Sequence, residues 1–113
     1  MKKREINMFK KLFIVLFSLV LFAPMAILAE DGTISGQITD KETEEILPGA
    51  TVLLDGTQFG TSTDKDGMYA FTNVPKGEYT MNVTYIGYTD FTTSVQVEEG
   101  ENITLDIEME PIS

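Results

Sequence analysis

Asp64-Lys65-Asp66-Gly67 is where this sequence comes closest to metal chemistry, because alternate carboxylates ahead of a glycine are how oxygen-rich loops wrap a hard cation. The spacing fails the stricter test. With Gly67 set at the sixth position of an EF-hand loop, Ser62 falls at the first and Asn73 at the twelfth, where a bidentate Glu is required. An EF-hand is therefore excluded. A looser Ca²⁺ site from Asp64, Asp66 and nearby carbonyls stays open beside a simpler reading. In that reading Asp64 takes position i and Gly67 position i+3 of a type I turn, the Asp64 carboxylate bonding local N–H groups.

Other chemistries find less support. Glu42, Glu44 and Glu45, like Glu98, Glu99 and Glu101, could gather cations but fall between strand-like runs and read as solvated turn charge. Paired carboxylates hydrolyse glycosides only where they flank a cleft and one has a raised pKa. With no His and no Cys, a nucleophilic relay would have to start from Ser35, Ser62 or Ser94 without a recognisable base. No enzyme activity and no cofactor are expected. Exposed aromatic rings can stack on sugars, and Tyr88, beside Gly87 at a bend, is the residue expected to contact such a ligand. Tyr79, Met81, Val83 and Tyr85 fall on one face of a single strand and read more simply as core.

The elements that must carry these residues are short strands. Ile34 and Ile38 alternate with polar residues, as do Ala50, Val52 and Leu54; residues 59–63 and 68–72 follow, then Tyr79 to Tyr85, Phe91 to Val97, and Ile103 to Met109. Period-2 alternation about every ten residues, with turn chemistry between, predicts a seven-stranded antiparallel β-sandwich without helix. Pro48 and Gly49, Asp66 and Gly67, Pro75 and Gly77, and Gly87 mark the joins. Pro75 pre-sets φ, and Gly77 is expected in a conformation that a Cβ would resist.

Ahead of the strands, Lys2, Lys3, Arg4, Lys10 and Lys11 precede an apolar run over residues 12–23, then Pro24 and the small Ala29. That order is a secretory leader over residues 1–29, cut after Ala29, leaving residues 30–113 as one domain. An uncleaved anchor is the competing reading, but the run is barely long enough to span a bilayer and Pro24 interrupts it. Either way the rest of the chain lies outside the cytoplasm, with no transmembrane segment after cleavage. No Cys follows the run, so lipid attachment there is excluded. Residues 30–113 hold 17 carboxylates against Lys41, Lys65 and Lys76, a net charge of −14, and contain no Arg. Such a surface repels phosphate backbones, which excludes nucleic acid as a partner.

Gly36-x-Ile38, Leu47-Pro48-Gly49-Ala50-x-Val52, Gly56-Thr57, Gly60, Thr63-Asp64-x-x-Gly67-x-Tyr69, Val74-Pro75-x-Gly77-x-Tyr79 and Ile86-Gly87-Tyr88 occur in one order. Together they resemble the carboxypeptidase regulatory-like domain, a transthyretin-like sandwich, over about residues 32–109. The resemblance implies a non-enzymatic periplasmic module of the kind that precedes the plug of TonB-dependent outer-membrane transporters in Bacteroidetes, especially those for starch uptake. A partner in the cell envelope, such as an outer-membrane transporter, is then expected. Residues 30–113 are too few for a sandwich and a membrane barrel together, so the expectation is a free-standing module or part of a longer product. The alternative is a secreted or surface module that binds carbohydrate or mediates adhesion.

Overall fold

The longest element is β1 (Gly32–Asp40), in which every second residue from Gly32 is fully buried and those between are half-buried. β1 is the central strand of its sheet, paired along both edges. In the computed structural model, which describes residues 30–112, seven more strands follow. They are β2 (Thr51–Leu54), β3 (Gly60–Ser62), β4 (Met68–Val74), β5 (Gly77–Thr84), β6 (Phe91–Val97), β7 (Asn102–Thr104) and β8 (Ile107–Met109). The expected leader lies outside the described residues. Among the described residues there is no helix, and none therefore long and apolar enough to cross a membrane.

Two sheets face each other. One has the order β4-β1-β7, with β8 continuing alongside β1; the other runs β3-β2-β5-β6. Ile34, Ile38, Val52, Leu54, Met81 and Val83 are wholly buried between them, joined by Val97, Ile107 and Met109. The inward sets are the ones that alternation selects, including Tyr69 and Phe71 rather than Met68 and Ala70 on β4. The expected all-β sandwich is the observed fold.

The final strand differs from expectation in two respects. It is split into β7 and β8, giving eight strands where seven were expected, and both pieces run parallel to β1 while the other ladders are antiparallel. Gly36 explains the break. An added Cβ there would lie 1.9 Å from the Leu105 carbonyl oxygen, so only glycine lets that carbonyl turn in between the pieces. The Tyr69 hydroxyl donates to it at 2.5 Å, and the Gln37 N–H donates to Asp106 Oδ1 at 2.9 Å instead of to a backbone carbonyl. The register with β1 is the same on both sides of the break, so no residue has been inserted.

Gly77 also needs correction. It opens β5, is not among the glycines with positive φ, and an added Cβ would meet only the Tyr79 ring at ordinary contact distance. The left-handed residue near this corner is Asn73, with φ 57°. Pro75 and Lys76 carry the chain from one sheet to the other, and the Tyr79 hydroxyl fixes the corner by donating to the Pro75 carbonyl at 2.6 Å.

Candidate functional site

The Asp64 turn is closed by its own backbone. Asp64 Oδ1 accepts from the N–H groups of Asp66 and Met68 at 2.9 and 3.0 Å, and the Gly67 N–H donates to the Asp64 carbonyl at 2.9 Å. Gly67 has φ 72° and is buried against the Ile38 carbonyl and Ile46, where a Cβ would crowd backbone atoms at 3.0 Å. Asp66 offers its carbonyl to the Gln37 side chain. Among the described residues no three carboxylates are grouped to hold a metal ion. The turn bonds account for the Asp64 carboxylate.

Tyr88 is half-buried. Its hydroxyl donates to Asp40 Oδ2 at 2.7 Å, and its ring meets that of Tyr85 edge-on, centroids 5.5 Å apart. Asp40, buried at the end of β1, uses its other oxygen to accept from the N–H groups of Glu42 and Thr43 at 2.7 and 3.0 Å. The Tyr88 bond, followed by the Thr43 bond, holds the Asp40 carboxyl below its ordinary value. The same bond, with desolvation second, pushes the Tyr88 phenol up to about 12. The segment after β8 sews the arrangement shut: Thr89 N–H donates to the Glu110 carbonyl and Ile112 N–H to that of Gly87. Gly87, with φ 89°, makes the bend between Tyr85 and Tyr88, closed by the Tyr88 N–H donating to the Tyr85 carbonyl at 3.1 Å.

Tyr85 is likewise half-buried against the core, while Ile86 faces outward at this end. With Gly49, Thr51 and Thr84 they border an open hollow of about 370 Å³, and Ile86 is almost wholly exposed at 96 %. Gly49, with φ 84°, follows the exposed Pro48 in the loop between β1 and β2. Thr63 holds that loop from beneath. Its buried hydroxyl donates to the Leu47 carbonyl at 2.5 Å and accepts the Ala50 N–H at 2.8 Å. The hollow offers a phenol ring, an isobutyl-sized apolar side chain and two threonine hydroxyls, and no ionisable carboxylate. No acid–base pair lines it. Glu42, Glu44, Glu45, Glu98, Glu99 and Glu101 are all exposed, and among the described residues no side chain bonds to the hydroxyls of Ser35, Ser62 or Ser94.

Sequence reasoning missed Asp40 and the role of the Thr63 hydroxyl; Tyr85 and Tyr88 are both half-buried against the core. Asp40 had a signal: an Asp closing a strand just ahead of polar residues is where a carboxylate caps turn N–H groups. Thr63 had none, since one more threonine in a strand-like run looks the same whichever way its hydroxyl points.

This sandwich, with its Asp64 turn and glycine-dependent β1, matches the family described as CarboxypepD_reg-like domain over residues 34–113, and the chain belongs to that family. It is similar to the TonB-dependent receptor P3 of Formosa agariphila, 30% identical over 101 residues, which are 89% of this chain and 10% of the receptor. TonB-dependent receptor P39 of the same organism is 35% identical over 66 residues, 58% of this chain and 6% of its own length. The chain thus spans a tenth or less of the curated relatives it matches. BcpA, the major pilin subunit of Bacillus cereus, shares the fold, with a TM-score of 0.62 over 74% of this chain and 31% of the pilin at 19% identity.

Proposed function

We propose that this chain is exported behind a leader cut after Ala29 and that its sandwich is a non-catalytic docking module of the bacterial envelope. It works at the periplasmic face of a TonB-dependent outer-membrane transporter, either beside one or as its N-terminal part. The observation that carries this reading is the alignment of 89% of the chain with one region of a TonB-dependent receptor. The dispersed, exposed carboxylates support the absence of catalysis. The test is cross-linking of the tagged full chain in a Bacteroidetes host, followed by recovery from membrane and soluble fractions. Outer-membrane proteins are expected among the adducts, and the purified protein should begin at Glu30. Recovery from the cytoplasm with residues 1–29 intact and no envelope adduct would reverse the assignment.

The hollow beside Tyr85 favours a second reading, a glycan-binding module. Rings that border an open hollow with hydroxyls nearby can stack on a neutral sugar. It predicts a specific glycan-array signal that Tyr85→Ala abolishes and Tyr88→Phe leaves in place. Such a signal without envelope adducts would displace the first reading.

A further inference from the structure

A sandwich has four edge strands, and three of them here are blunted. β3 is three residues long and lies against β4; β4 carries a register irregularity opposite Gly32 and a left-handed Asn73; β7 and β8 are short and interrupted. These are the devices that keep edges from recruiting foreign strands. β6 has none of them. It pairs with β5 in unbroken antiparallel register from Phe91 to Val97, and it contains no Pro, no charge and no bulge. Among the described residues its backbone makes no hydrogen bond to any other element, so alternate N–H and C=O groups point outward. Phe91 and Thr93 on its inner face are only half-buried.

Charge selects the occupant. A second copy paired antiparallel about Ser94 would set Thr92 opposite Gln96, a good match, but would also set Asp90 opposite Glu98 at both ends. Glu99 and Glu101 add to that repulsion, and Lys76 relieves it only through an exposed 4.0 Å contact with Glu98. We propose that β6 is a docking edge for an extended partner segment that is uncharged and alternates apolar with polar residues along the strand, and carries Lys or Arg at both ends. Main-chain bonds would supply the affinity and the flanking cations the selectivity. The proposal rests on the docking-module reading and names its surface.

The test titrates the ¹⁵N-labelled full chain with the peptide Lys-Lys-Thr-Val-Thr-Val-Thr-Lys-Lys and with its Glu-flanked counterpart. Amides of Phe91–Val97 should shift and exchange more slowly with the Lys-flanked peptide, which should bind about tenfold or more tightly at low salt. Changing Asp90→Lys and Glu99→Lys, both on exposed loops, should invert the preference. Shifts confined to β3 or β4, equal binding of the two peptides, or a concentration-dependent dimer that protects the same amides would each overturn the proposal. Peptide binding at β6 without envelope adducts would support the edge and overturn the docking-module reading. Envelope adducts left undiminished by the Asp90→Lys and Glu99→Lys changes would overturn the edge alone.

Discussion

The hydrogen bond from Tyr88 to Asp40 links two titrations, and the sign of each follows from which form the bond favours. Asp40 has a folded pKa below its ordinary 3.8, so its contribution to stability is present above that value and is lost as pH falls through the folded one. Tyr88 is raised from 10.0 to about 12, so its contribution is complete below pH 10 and is lost as pH climbs towards 12. Tyr69 is raised similarly, to about 12, by burial first and by Asp106 second. In Tyr88→Phe the decline of unfolding free energy between pH 10 and 12 should become shallower, with the Tyr69 share remaining. Denaturant titrations across that range check this, and an unchanged decline would show that the bond is not maintained in solution. Thr63 gives a second expectation at this scale. Thr63→Val strands the buried Ala50 N–H and Leu47 carbonyl, which should cost about 1–3 kcal/mol, whereas Thr63→Ser, keeping the hydroxyl, should cost less. A larger loss from Thr63→Ser than from Thr63→Val would mean that the methyl, not the hydroxyl, matters there.

Among the elements, Gly36 has the strongest leverage, because the β7–β8 break turns on the space its missing Cβ leaves. Gly36→Ala would drive a methyl into the Leu105 carbonyl and push the Tyr69 hydroxyl off its acceptor. The expected loss is about 1–3 kcal/mol, the usual range for overpacking, with the exchange protection of Gln37 and Leu105 falling before that of β5. Uniform loss across both sheets would argue against a local break. This junction also shows what alternation could convey. The inward sets of β1, β2, β5 and β6 follow from period 2, because one side chain in two must leave water. Ile103, Leu105, Ile107 and Met109 keep the same period across the break, so the pattern gives no sign that the backbone turns at Leu105. Nor does alternation reveal a partner, which is why the parallel pairing of the last strands with β1 was not legible. The Asp64 turn was readable because a side chain bonding its own neighbours needs no tertiary information. Gly77 misled for the converse reason: glycine permits a left-handed backbone without requiring one. At the candidate site, what the sequence could not convey is the bond from Tyr88 to an Asp 48 positions earlier, a pairing that only the closed fold creates.

For the molecule as a whole, the balance of charge sets a condition on stability that no single contact does. Residues 30–113 carry seventeen carboxylates and three lysines, and among the described residues one cation–carboxylate contact reaches 4.0 Å. An exposed pair at that distance is worth at most about 1 kcal/mol, so self-repulsion outweighs it. Salt acts on the two in opposite directions. Between about 0.01 and 0.15 M the screening length falls from roughly 30 to 8 Å, which removes most of the repulsion between carboxylates on opposite sides of the sandwich and little of any contact pair. Tm should therefore rise over that range, each kcal/mol of relieved repulsion appearing as about 4–8 °C in a domain of this size. Potassium chloride and sodium chloride should act alike, since screening depends on ionic strength and not on a bound ion. CaCl₂ at matched ionic strength separates the two explanations for Asp64 and Asp66: screening alone predicts the same Tm, whereas a cation held by that turn predicts a further rise that Asp66→Asn removes. A Tm that fell as NaCl was added would mean that attractive pairs, and not the acid excess, dominate the folded surface.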